Sequence, residues 1–261
     1  MQKYTDCSKS NIMAYIGIIP ARFASTRFPG KPLADIGGKS MIRRVYEQAT
    51  KCTALKEVVV ATDHQQIYDH VRTFGKVVMT KTSHQSGTDR CREAIDAIGK
   101  DRYASQDVVV NIQGDEPFIH PLQIELLIGC FADEQVKLAS LMKKIDHIDE
   151  LFNENIVKVI VNHSQKAIYF SRSPIPFYRG LEKDQWLKHG TWFRHIGLYA
   201  YRIDTLNEIG SILESPLEKA ESLEQLRWIE NGLEIHMAET GMQHHAVDTP
   251  EDLEKIIRMI K

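Results

Sequence analysis

The 261-residue sequence lacks most of the signals that would place it outside the ordinary globular proteins. Its four cysteines, Cys7, Cys52, Cys91 and Cys130, form no Cys-x-x-Cys pair and have no histidine at zinc-finger spacing. That excludes a disulfide scaffold and a structural zinc module, and reduced thiols in the cytoplasm are the expected state. Long apolar runs are missing: residues 15–19 stop at Pro20, far short of the roughly 20 residues a bilayer span needs, so no membrane partner is expected. An excess of either charge is missing too. Lys and Arg number 33 against 35 Asp and Glu, a formal net charge of −2, which gives no global field for gripping nucleic acid and confines any anion site to a local cluster. Residues 1–12 are polar and carry neither the charged start nor the apolar stretch of a secretory signal; they read as a disordered extension, with Met13 an equally good start. Repeats and low-complexity tracts are absent.

What is present is an ordinary globular mix, 43% hydrophobic and 26% charged. A chain of this length buries roughly 70 to 75% of its unfolded surface and needs no metal or disulfide staple. Short β-branched runs at 16–19, 57–61, 76–79 and 107–112 read as strands buried on both faces. Helical stripes separate them: Ile42, Val45, Tyr46 and Ala49 over 40–49, then Ile67, Val71 and Phe74 over 65–74. This alternation predicts an α/β fold with a mostly parallel central sheet flanked by helices. After Pro121 the rhythm changes. Runs at 138–142, 157–161, 167–170 and 196–201 read as strands, with a polar loop over 179–192 that carries Trp186 and Trp192. A helix over 216–231, a strand at 234–238 and a last helix capped by Thr249 with Pro250 at its first position close the chain.

Two segments deliver chemistry to the carboxyl edge of that sheet, where open α/β folds bind ligands. The first strand runs into PARFASTRFPGKP, which gathers Arg22, Arg27 and Lys31 with small hydroxyls in one loop. Clustered cations and free loop amides suit a triphosphate. The loop is neither a GxxxxGK[ST] phosphate loop nor a GxGxxG dinucleotide fingerprint. The fourth strand ends in VVVNIQGDEP, bringing Gln113, Gly114, Asp115 and Glu116 to the same edge. A carboxylate there can hold magnesium through oxygen ligands, and it can equally cap a helix or finish a polar turn. Asp248, just before the last helix, is open to the same two readings. One basic loop plus carboxylates on separate loops fits metal-assisted phosphoryl or nucleotidyl transfer. Thr62, Asp63 and His64 read as a strand-end turn without a catalytic role, and the His244–His245 doublet as solvated loop.

PARFASTRFPGKPL, VVVATDH, HQSGTDR, VVNIQGDEP, YFSRSPIP, FRHIGLYAYR, SPLEKAESLEQLRW and VDTPEDL occur in this order from Ile18 almost to the C-terminus. In this the sequence resembles the 3-deoxy-manno-octulosonate (Kdo) cytidylyltransferases. Sialic acid cytidylyltransferases share the first motif in looser form. The resemblance implies a single nucleotidyltransferase domain over 1–261, similar to the nucleotide-diphospho-sugar transferases, with a smaller α+β dimerisation part at about 138–201. It implies transfer of CMP from CTP to Kdo with release of pyrophosphate, for the lipopolysaccharide inner core, and Mg2+ as cofactor. By the same resemblance Arg22, Ser25, Arg27, Lys31, Ser86, Arg90 and Gln113 bind the nucleotide. Asp115 and Asp248 hold metal, and these two with Arg22, Arg27 and Lys31 are catalytic. Gln113, Arg172, His195, Tyr199, Glu224 and Gln225 meet the sugar, Arg172 reading its carboxylate. A homodimer is implied, with Tyr169, Phe170 and residues 196–201 offering apolar surface. From the residues alone His195 reads equally as a core histidine, and Glu224 as a partner of Arg227 on its helix face. Asp89 stands where glutamate is common in the family, the 180–190 loop is variable territory, and the extension before Met13 has no counterpart. Rival readings are a cytidylyltransferase for another acid sugar (sialic acid or amino-Kdo), a metal-dependent glycosyltransferase, and a nucleotide-binding relative without turnover.

Overall fold

The structure, a computed structural model, describes residues 13–24, 28–243, 246–247 and 249–260. Ser25, Arg27, Asp248, the His244–His245 doublet and the expected extension over 1–12 lie outside the described residues.

The β-branched runs become strands β1 (Tyr15–Ala21), β2 (Glu57–Thr62), β3 (Lys76–Met79) and β4 (Val108–Asn111), followed by β5 (Leu138–Lys144), β6 (Lys158–Val161), β7 (Ala167–Ser171), β8 (Phe193–Arg202) and β9 (His236–Glu239). Among the described residues they form a nine-stranded sheet of order β3-β2-β1-β4-β8-β5-β9. The first four are parallel, β8 runs antiparallel to both β4 and β5, and β9 is parallel to β5. The helices are α1 (Met41–Ala49), α2 (Gln65–Val71), α3 (Gly87–Gly99), α4 (Pro121–Gly129), α5 (Ile148–Phe152), α6 (Trp186–His189), α7 (Ile203–Ile209), α8 (Pro216–Glu221), α9 (Glu224–Glu230) and α10 (Pro250–Ile260). None among the described residues is long and apolar enough to cross a membrane.

Because side chains alternate across a strand, the continuous apolar runs supply two cores at once. Ile19, Val58, Val60, Val108 and Val110 pack against α1, α2 and α4, while Ile16, Ile18, Val59, Ala61 and Val109 pack against α3, α7 and α9. The central sheet is thus flanked by helices on both faces, as the alternating pattern predicts. Ser40 caps α1 by accepting the Arg43 N–H at 3.3 Å, and Thr249 caps α10 through the Asp252 N–H at 3.3 Å.

Several elements differ from their sequence reading. β3 is an edge strand with its two end residues exposed, not one buried on both faces, because among the described residues no strand pairs beyond it. The helix expected over 216–231 is two helices, broken at Ser222, whose φ of 53° lies in the left-handed region. The α+β stretch shares the main sheet: β8 inserts between β4 and β5, and only the β6–β7 hairpin branches off β8. Phe170 and residues 196–201 face the interior, Phe170 being 0% exposed, so they offer no apolar surface; Ile168 and Phe177 are the exposed apolar residues of that region. The 179–192 loop contains a helical turn, and Trp186 and Trp192 stack at 5.8 Å in a separate buried cluster with Ile145 and Leu151.

Lys158 on β6 is fully buried, and among the described residues its hydrogen bonds go to main-chain carbonyls alone, with the Glu221 charge acting at longer range. Its ammonium donates to the carbonyls of Asn153 (2.9 Å), Ile156 (2.6 Å) and Arg172, so one side chain ties three loop ends. Burial, and then the Arg172 charge, push its pKa down to about 8. The unfolded chain therefore holds more protons than the native one between about 8 and 10.5, and stability from this residue rises with pH across that window. Urea unfolding of wild type and Lys158→Met at pH 7.5, 8.5 and 9.5 should show the wild type gaining stability with pH relative to the variant, up to about 3 kcal/mol over the full window. Equal slopes would show that the lysine is not held in this way.

Candidate active site

The carboxyl ends of β1 and β4, the 84–87 segment and the start of α3 enclose a cleft of about 260 Å³ lined by Arg22, Lys31, His84, Gln85, Ser86, Arg90, Gln113 and Asp115, among others. Its floor requires glycine. A Cβ on Gly114 would lie 2.8 Å from the Pro20 carbonyl oxygen, so β4 can pass the end of β1 only without a side chain there. This brings the basic loop and the carboxylate face to face. The Lys31 ammonium donates to Asp115 Oδ2 at 2.6 Å and to the Val247 carbonyl at 2.9 Å, and the Val247 N–H donates to the Asp115 carbonyl at 3.0 Å. The segment that precedes α10 is thereby stitched to the end of β4. Asp115 keeps 27% of its side chain exposed in the cleft, whereas Glu116 beside it is buried.

Arg90 lines the cleft but is held from behind. Its guanidinium donates to Asp63 Oδ2 at 2.7 Å and to Thr80 Oγ1 at 2.6 Å, and the side chain is 3% exposed. The strand-end turn at 62–64 thus has a definite task. Gln113 donates to the Gly197 carbonyl at 2.9 Å, tying the cleft to β8. His84, which the sequence did not single out, is bonded to the Glu93 carboxylate, and Glu93 also accepts the Lys81 N–H at 2.9 Å. Only its place in HQSGTDR, just ahead of α3, hinted at this.

Residues 85–87 also wall a second cleft, of about 780 Å³, lined by Asp89, Glu214, Glu218, Lys219, Ser222, Glu224 and Arg227. Glu224 accepts the Thr88 hydroxyl at 3.0 Å and has Arg227 at 3.7 Å. Burial pushes its carboxyl pKa up, against hydrogen bonds from Ser86 and Thr88 and the Arg227 charge. Arg172 stands at the end of β7 with its guanidinium on main-chain carbonyls of Glu221 (2.7 Å), Glu154 (3.1 Å) and Ser222 (3.4 Å). His195 and Tyr199 lie on β8 with rings 5.2 Å apart, His195 on Ser140 Oγ at 2.9 Å and Tyr199 against Trp228 of α9 at 5.1 Å. Gln225, on the same helix, is buried. Of the expected sugar residues, Gln113 therefore lines the first cleft and Glu224 the second, while His195 and Tyr199 lie on β8, Gln225 on α9 and Arg172 at the end of β7. Among the described residues no three His, Cys, Asp or Glu side chains cluster as a metal site.

A sequence model of the family described as cytidylyltransferase matches residues 16–235. The chain belongs to the cytidylyltransferase family. A 3-deoxy-manno-octulosonate cytidylyltransferase of Parabacteroides distasonis is 52% identical over 254 residues, covering 95% of this chain and 99% of the relative. One from Geobacter sulfurreducens is 44% identical over 260 residues, 95% of this chain and all of its own length. A solved structure of CMP:2-keto-3-deoxy-manno-octonic acid synthetase complexed with CTP shares 40% identity at a TM-score of 0.86, covering 95% and 98% of the two chains. A glucose-1-phosphate thymidylyltransferase from Bacillus anthracis, at 17% identity and a TM-score of 0.62, shares the fold alone.

In this cytidylyltransferase the raised pKa of Glu224 has a testable cost. A carboxyl whose folded pKa exceeds its usual 4.5 contributes stability that is full below that value and lost as pH rises through the folded one. Glu224→Gln should therefore raise the urea midpoint at pH 7.5, with the gain shrinking as pH falls toward 4.5. An unchanged or lower midpoint at pH 7.5 would show that the carboxylate is already well compensated.

Proposed function

We propose that this cytidylyltransferase joins CTP to 3-deoxy-D-manno-octulosonic acid, releasing pyrophosphate and giving CMP-Kdo for lipopolysaccharide inner-core synthesis. What carries the reading is 52% identity over almost the whole chain to an enzyme of that name, together with Arg22, Lys31 and Asp115 lining one cleft. A hydroxyl of the sugar attacks the α-phosphorus; the new O–P bond forms as the bond to the pyrophosphate oxygen breaks, and the hydroxyl proton is lost. The protein's work is alignment and charge. Arg22 and Lys31, with Arg27 from the same loop, neutralise charge gathering on the departing pyrophosphate. Ser25, Ser86 and Arg90 contact the nucleotide, and the Asp63 pair keeps Arg90 from swinging with it. Gln113, anchored on Gly197, lies between the two substrates. Arg172, His195, Tyr199, Glu224 and Gln225 take the sugar, Arg172 exchanging a carbonyl partner for the sugar carboxylate.

The arrangement fits a divalent cation. A carboxylate oxygen and a carbonyl oxygen already hold a cation, the Lys31 ammonium, at 2.6 and 2.9 Å, and an all-oxygen set is what hard cations prefer. Asp115 and Asp248 would hold magnesium, which when bound places positive charge at the α-phosphate and lowers the pKa of the attacking hydroxyl. Lys31, whose ammonium rests on Asp115 and the Val247 carbonyl, would then turn toward the phosphates. The protein acts in the cytoplasm as a homodimer formed through the 138–201 region, where Ile168 and Phe177 are exposed.

Incubation with each of the four nucleoside triphosphates and a panel of ulosonic acids, scored by pyrophosphate, should give turnover with CTP and Kdo. Preference for sialic acid or amino-Kdo, or consumption of a preformed nucleotide sugar instead of CTP, would replace the reading. Asp115→Asn should keep the fold and lose on the order of 100-fold in turnover, about 3 kcal/mol of transition-state stabilisation; near-normal rates in magnesium would remove Asp115 from the mechanism.

A further inference from the structure

The strand-end turn at 62–64 touches both walls of the nucleotide cleft. Asp63 holds Arg90 on one side. On the other, the His64 ring lies flat on the Phe23 ring, with centroids 3.9 Å apart and planes 16° from parallel. Phe23 follows Arg22 at the root of the basic loop, and its carbonyl accepts the Gly30 N–H at 3.1 Å, closing the neck of the 23–30 loop. Gly30, at φ 69°, is in the left-handed region, and a Cβ there would sit 3.4 Å from the same Phe23 ring. Lys31 follows at once and reaches Asp115. The Phe23 ring thus sits at the neck that joins Arg22 to Lys31, two of the cations that line the cleft, fixed by His64 at the end of β2 and by the Gly30 contact.

His64 has no other evident duty. It stands at the start of α2 without capping the helix by its side chain, and its Nδ1 is buried with no hydrogen-bond partner among the described residues.

We propose that His64 is a positioning residue: by stacking on Phe23 it sets where Arg22 and Lys31, on either side of the Phe23–Gly30 neck, stand at the cleft, and so governs binding of the nucleotide's triphosphate without touching it. The proposal rests on the reading that this cleft takes CTP.

The test compares His64→Ala, His64→Phe, Phe23→Ala and the double alanine variant with wild type. His64→Ala should raise the KM for CTP about fivefold, with the Kdo KM and the melting temperature little changed. It should also speed tryptic cleavage after Arg22 and Arg27, a readout that needs no substrate. His64→Phe, which restores a flat ring, should return both values close to wild type. The double alanine variant should be no worse than the worse single one, since both remove the same contact. A wild-type CTP KM and cleavage rate in His64→Ala would overturn the proposal. So would failure of His64→Phe to rescue, a parallel rise in both KM values, or additive alanine effects. If wild type itself neither binds CTP by calorimetry nor turns it over, the functional reading has failed, while the cleavage rates still decide whether the stack places the loop.

Discussion

The site is organised around one ion pair. Lys31 and Asp115 are 84 residues apart in sequence, and the Lys31 ammonium also binds the carbonyl of Val247, 216 residues on. Three chain segments with no local reason to meet are drawn to one point by a charge that each helps to satisfy. The pair is partly exposed, 15% and 27%, so its direct contribution to stability is small. Its value lies in geometry: it holds the carboxylate and the ammonium together at the wall of the cleft. A lysine suits this use better than arginine, because a compact ammonium on a flexible stem can leave one oxygen for another without losing a two-point fit.

The sheet makes that meeting reproducible. β1 and β4 are parallel neighbours with Ile18 paired to Asn111, and beyond β4 Gly114 lets the chain pass the Pro20 carbonyl of β1 at a distance that a side chain would forbid. β8, inserted antiparallel beside β4, carries His195 and Tyr199 and receives Gln113 on the Gly197 carbonyl. The first cleft and the pair His195 and Tyr199 are thereby built on adjacent strands of one sheet, and residues 85–87 form a wall common to both clefts. Buried polar groups such as Lys158 and Glu224 sit at the seams of this layer, where their desolvation is unfavourable to folding.

Much of this was legible in the sequence because the signals are local. Continuous β-branched runs gave both-face strands, Ser40 and Thr249 marked helix starts, and the basic loop and the QGDEP segment announced themselves by composition. What was missed depends on partners distant in the chain. Nothing near Lys76 says that no strand lies beyond it, and a serine in the left-handed region at Ser222 leaves no mark in a helical pattern. Phe170 and residues 196–201 are apolar in either role, and only the sheet order shows that they fill the core. The turn at 62–64 looked idle because its two tasks, holding Arg90 and stacking on Phe23, are both made across the fold.

The edge strand β3 carries a consequence for how copies of the chain behave at high concentration. It is four residues long, opens on a lysine that is already bonded to Glu57 on β2, and exposes both its end residues. An invading strand would find few main-chain groups to pair with and would have to strip water from that lysine to reach them. Growth of the sheet into fibrillar aggregates is blocked at this margin by brevity and charge.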